Sequence, residues 1–124
     1  MASILLIDDV PAVLISLRIV LQGSGHQVTA VNDGNAGLEL LRTQQFDVVI
    51  TDIWMPGSSG TTVISEGRKL APRTHFMAIS GGDPNGPTDA ARRADSDFGA
   101  DCVLQKPFEK SDLLAAVDGM LKDR

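Results

Sequence analysis

Asp8, Asp9, Asp52 and Lys106 each stand where an apolar run of the chain ends. Asp8 and Asp9 follow Ile4-Leu5-Leu6-Ile7, and Asp52 follows Val48-Val49-Ile50-Thr51. Lys106 follows Cys102-Val103-Leu104-Gln105 and precedes Pro107. If those runs are parallel strands, their C-terminal ends share one edge of a sheet, where open α/β sheets bind ligands. Three carboxylates and an ammonium then converge. Carboxylates so placed resist ionising together, because each like charge raises its neighbour's pKa. A divalent cation relieves that conflict, and Mg²⁺ favours carboxylate oxygens together with water and a phosphate. These residue types therefore point to magnesium-dependent phosphoryl chemistry on an aspartate.

The rest of the chain has the pattern needed to hold such an edge. Strand-like runs fall at about 3–7, 27–31, 46–51, 74–79 and 101–105, mostly continuously apolar, as strands buried on both faces read. Helical spacing separates them. Val13, Leu14, Leu17, Val20 and Leu21 share a face, with Pro11 suited to the first turn and Gly23 or Gly25 to the end. Asp33 is placed to cap a helix over 35–43, and Ser58 or Ser59 one over 60–70 that Pro72 stops. Ser111 or Glu109 opens the last helix, whose apolar face is Leu113, Leu114, Val117, Met120 and Leu121. This is β-α repeated five times. Right-handed crossovers then put helices on both faces of a doubly wound, five-stranded parallel sheet, and the flavodoxin-like order 2-1-3-4-5 fits the count. One stretch is irregular. Ser80 to Pro87 holds three glycines and two prolines and reads as a loop. The helix expected next, over 88–97, has almost no large apolar residue and anchors weakly through alanines, so it should be a mobile element.

Composition narrows the function classes. A chain of 124 residues makes one domain with a real core, and the expectation is a single unit over 1–124 without an output domain, since only about one helix follows Lys106. A net charge of -5 argues against a nucleic-acid partner, which calls for a basic stripe. No apolar run approaches the ~20 residues of a membrane span, and Met1-Ala2-Ser3-Ile4 lacks the basic start of a signal peptide. A lone cysteine, Cys102, excludes an internal disulfide and fits a reducing cytoplasmic setting; its apolar neighbours favour a buried structural thiol.

Taken in order, Leu5-Leu6-Ile7-Asp8-Asp9, Asp52-Ile53-Trp54-Met55-Pro56 with Gly60, Ile79-Ser80-Gly81 and Lys106-Pro107-Phe108 resemble the receiver domain of two-component response regulators. The resemblance covers essentially the whole chain. It implies a phosphoacceptor switch in a phosphorelay, with Asp52 accepting a phosphoryl group from a phosphohistidine. It implies that Asp9, Asp52 and the backbone carbonyl of Trp54 bind Mg²⁺, with Asp8 acting mainly through a water, and that Ser80 and Lys106 contact the phosphoryl group. Gly81 would leave access open, and a cis Lys106-Pro107 bond would aim the lysine inward. The partners implied are a histidine kinase or histidine phosphotransfer protein and a downstream protein target. The physics agrees with these roles. A carboxylate can act as a nucleophile toward phosphorus, and a compact ammonium suits a phosphate oxygen.

The chain also departs from that family. Three residues before the lysine, where an aromatic is frequent, it has Val103, and it has no tyrosine. A rotating aromatic ring coupled to Ser80 is therefore not expected, and order and disorder of 80–97 is the expected switch. Plainer readings compete residue by residue. Asp8 and Asp9 could form a helix N-cap. Lys106-Pro107 alone would be a solvated turn. Trp54 is expected beside the site, His26 and His75 as surface or satisfied structural residues, and Arg92 and Arg93 as a solvated face. Two alternative functions stand beside the leading one. A small haloacid-dehalogenase-like phosphatase also uses an aspartyl nucleophile and Mg²⁺, but its Asp-x-Asp motif is here Asp8-Asp9-Val10. A receiver-like interaction module without phosphorylation would not need the full set of acids, serine and lysine.

Overall fold

The computed structural model describes residues 2–53, 60–80 and 100–122. The five strands are β1 (Ser3–Ile7), β2 (Gln27–Val31), β3 (Val48–Asp52), β4 (His75–Ser80) and β5 (Cys102–Gln105). They pair in parallel in the order β2-β1-β3-β4-β5, the order expected. Helices α1 (Pro11–Gly23), α2 (Gly34–Thr43), α3 (Gly60–Leu70) and α4 (Lys110–Lys122) complete the described elements. The irregular loop after Ser80 and the helix expected over 88–97 lie outside the described residues.

Side-chain alternation divides the core into two layers. Ile4, Leu6, Val48, Ile50, Met77 and Ile79 point to one face, where Leu17 and Leu21 of α1 and Leu113 and Val117 of α4 cover them. Leu5, Ile7, Val49, Phe76 and Ala78 point to the other, beneath Leu41 of α2 and Val63 and Ile64 of α3. Nearly all these side chains are fully buried. Each of them larger than alanine contributes about 1.5–3 kcal/mol relative to exposure, which is what makes the register of the central strands unambiguous. The outer strands differ from expectation. β2 and β5 are only half-buried, because each lies at an edge of the sheet. Cys102, at the start of β5, is accordingly half-buried rather than buried, although it does pack against the first layer.

Local chemistry sets the helix ends. Pro11 opens α1, and Gly25 turns the chain beyond it with φ of 90°, a conformation that suits glycine. Val10, extended, is the N-cap of α1 and makes no side-chain cap, so Asp8 and Asp9 are not the cap pair that their position suggested. The Asp33 carboxylate accepts from the Ala36 N–H at 2.8 Å, as expected. At α4 the boundary falls at Glu109: Asp112 reaches back to accept from the Glu109 N–H at 2.9 Å, leaving Ser111 inside the helix. Ser58 and Ser59 lie outside the described residues.

Candidate functional site

The sheet order carries the acids together. β1 and β3 are neighbours with Ile7 opposite Thr51, so Asp8 and Asp9, just past β1, emerge beside Asp52, the last residue of β3. Carboxylate oxygens of Asp8, Asp9 and Asp52 all lie within 4.8 Å of one another. Asp8 and Asp52 are buried and Asp9 is half-buried. Burial pushes the Asp8 carboxyl above its ordinary value of 3.8, and the charge of Asp9 adds to the rise; the Val10 N–H and Lys106 oppose it. That N–H donates to Asp8 Oδ1 at 2.9 Å. Asp8 Oδ2 is buried with no hydrogen-bond partner among the described residues.

The next two strands bring the remaining groups. Ser80 ends β4, opposite Gln105, and the N–H of Lys106 donates to the Ser80 carbonyl at 2.8 Å. The Ile53 N–H donates to the Ile79 carbonyl at 3.0 Å, tying the end of β3 to β4. The Ser80 hydroxyl is buried and has no partner among the described residues. Lys106 Nζ reaches to 4.0 Å from Asp52 Oδ2, and the Lys106-Pro107 bond is cis, as expected. The structure therefore brings Asp8, Asp9, Asp52, Ser80 and Lys106 to one edge. Trp54 and Gly81 lie outside the described residues, as do Arg92 and Arg93. Val103 packs half-buried against the second core layer.

Oxygen donors of this kind suit a hard divalent cation. The cluster offers one buried carboxylate oxygen that no protein donor satisfies among the described residues, and such a group calls for a partner. The residues present thus fit Mg²⁺.

Gly60 sets the limits of this site from behind. A Cβ there would collide with the carbonyl oxygen of Asp52 and stand 2.8 Å from Ile53 Cα. Backbone cannot yield as a side-chain tip can. Gly60→Ala is expected to displace the end of β3 and lower the unfolding free energy by about 1–3 kcal/mol, read by chemical denaturation. A variant as stable as the parent would contradict this.

The two histidines have structural neighbours. His26 Nδ1 accepts from the Ala2 N–H at 3.2 Å. His75 Nδ1 lies 3.8 Å from Asp101 Oδ2. Sequence reasoning missed Asp47 and Asp101, at the opposite edge of the sheet. Each falls within a strand-like run as one acid among apolar residues, and the structure places it just ahead of the strand.

Comparison with known proteins agrees with the architecture. The family model described as the response regulator receiver domain matches residues 4–118. The response regulator MprA of Mycolicibacterium vanbaalenii is 33% identical over 119 residues, 96% of this chain and 50% of that protein. The chain thus spans about half the length of the curated relatives it matches. A CheY-like receiver domain protein from Methanospirillum hungatei superposes with a TM-score of 0.89 at 25% identity, over 99% of this chain and 95% of that one. The chemotaxis protein CheY4 of Vibrio cholerae gives 0.85 at 26% identity, over 98% and 99%. No helix among the described residues is long and apolar enough to cross a membrane. By its motifs, its strand order and the match over 4–118, this chain belongs to the receiver domain family of two-component response regulators.

Proposed function

We propose that Asp52 accepts a phosphoryl group from a phosphohistidine of a histidine kinase or histidine phosphotransfer protein, and that this alters the affinity of the domain for a downstream protein. The observation that carries the reading is a buried Asp52 carboxylate, clustered with Asp8 and Asp9 and 4.0 Å from Lys106 Nζ. An oxygen of Asp52 bonds to phosphorus as the phosphorus–nitrogen bond breaks, and the departing imidazole keeps the electron pair. The Lys106 ammonium offsets charge on a phosphoryl oxygen, and the buried Ser80 hydroxyl, free of a partner among the described residues, donates to another. Asp9, Asp52 and the Trp54 carbonyl would hold Mg²⁺, with Asp8 contributing through a water. Bound there, the ion neutralises phosphoryl oxygens.

Incubation with acetyl phosphate and Mg²⁺ is expected to add the mass of one phosphoryl group, and EDTA to prevent it. No gain with Mg²⁺ present would leave the chain as an interaction module that is not phosphorylated. Sustained turnover of phosphate esters would mark a phosphatase instead.

A further inference from the structure

We infer that Asp47 and Asp101 are a matched pair of positioning residues, each fixing the strand register that sets one half of the site. The inference rests on the reading of Asp52, Ser80 and Lys106 given above.

Asp47 stands one residue before β3 and Asp101 one residue before β5. Both grip the neighbouring strand in the same way. The Asp47 N–H donates to the Ser3 carbonyl at 2.8 Å, and the Ser3 N–H donates to Asp47 Oδ2 at 2.8 Å. The Asp101 N–H donates to the Phe76 carbonyl at 2.8 Å, and the Phe76 N–H donates to Asp101 Oδ2 at 2.8 Å. In each case a carboxylate replaces the backbone acceptor that the ladder lacks where the strand begins. A buried N–H left without an acceptor is costly, so the carboxylate selects one register.

Each clamp stands five residues before the group it serves, Asp47 before Asp52 and Asp101 before Lys106. At about 3.3 Å per residue that is roughly 16 Å, so neither touches the reacting atoms. They act through the strands. Asp47 locks β3 to β1 and so aligns Asp52 with Asp8 and Asp9. Asp101 locks β5 to β4 and so aligns Lys106 with Ser80. A slip of one residue would send every side chain of the strand to the opposite face. β5 is the more dependent, being a four-residue strand at an edge of the sheet. Arg68 Nη1 also contacts Asp101 Oδ2, at 3.1 Å, with both side chains partly exposed, so it adds little to the lock.

The two clamps predict separable defects, which a loss of general stability would not produce. The test uses the full chain carrying Asp47→Ala, Asp101→Ala, either aspartate changed to Asn, or Arg68→Ala. Mg²⁺ affinity is measured by calorimetry, phosphorylation by acetyl phosphate through intact mass, and protection of the Lys106 amide by hydrogen exchange. Asp101→Ala is expected to slow phosphorylation at saturating Mg²⁺ about tenfold and to lower Lys106 protection, with Mg²⁺ affinity within about twofold of the parent. Asp47→Ala is expected to weaken Mg²⁺ binding about tenfold while Lys106 keeps its protection. The Asn variants retain an acceptor oxygen and should restore the parent values, and Arg68→Ala should match the parent. Equal losses of metal affinity and rate in both alanine variants, or no rescue by Asn, would overturn the inference. If Asp101→Ala does not fold, Asp101→Glu, which carries its oxygens one methylene further, is read instead; full Lys106 protection there would also overturn it. If the parent is not phosphorylated, the proposed function fails, while Lys106 protection still decides for or against the clamp.

Discussion

Asp52→Asn is expected to abolish phosphorylation while leaving the fold intact. The amide has nearly the shape of the carboxylate, so the end of β3 and its packing need not move. What disappears is the anionic oxygen that attacks phosphorus. A drop on the order of a thousandfold corresponds to about 4 kcal/mol of barrier. Intact mass after incubation with acetyl phosphate and Mg²⁺ reads it directly. Asp8 and Asp9 lie close enough to Asp52 to be rival acceptors, so undiminished mass gain in Asp52→Asn would move the acceptor role to one of them.

The second large effect concerns stability without metal. Asp8 is wholly buried and carries one carboxylate oxygen with no hydrogen-bond partner among the described residues. Burial raises its pKa above 3.8 in the folded chain, so the native state holds that proton more tightly than the unfolded state does. Proton linkage gives the sign. Below the unfolded value both states are protonated and no penalty arises. As pH rises from there through the raised native value, the parent loses stability, and above it the loss is complete. Asp8→Asn keeps an oxygen for the Val10 N–H and has no charge to desolvate. In EDTA at neutral pH it should be more stable than the parent, since the parent must keep a charge out of water there and the variant need not. The advantage should vanish at pH values below 3.8. Saturating Mg²⁺ should reverse the order, because binding to the native state alone stabilises the parent. Urea unfolding with and without Mg²⁺ at several pH values makes the comparison. A variant less stable than the parent in EDTA would refute the account.

The alternation of apolar runs with helical spacing was enough to read the strand count, the parallel order and the edge that gathers the acids. The signal was strong because β1, β3 and β4 are buried on both faces and tolerate only apolar residues along most of their length. Strand ends were less legible. Asp52 and Ser80 look like the first loop residues after an apolar run, yet both are the final, buried residues of their strands. Polarity suggests a loop, but a ligand-facing group at the end of a parallel strand is polar and paired at once. The competing cap reading of Asp8 and Asp9 fails for a related reason: the Asp8 carboxylate does meet a backbone N–H, that of Val10, but ahead of the helix. The register contacts of Asp47 and Asp101 had no visible signal, since a hydrogen bond between strands 44 or 25 positions apart leaves no local spacing to detect.

Strand order also has a consequence for the balance of charge. The three acids belong to the first 52 residues, whereas Lys106, the cation 4.0 Å from Asp52, follows the last strand. β1 and β3 are direct neighbours, so their pairing gathers the three negative charges without any part of β5. A chain shortened before β5 would keep that cluster and lose the ammonium beside it. Solvent cations would then be the countercharge left to it, and its tolerance of low salt would measure what Lys106 supplies in the whole domain.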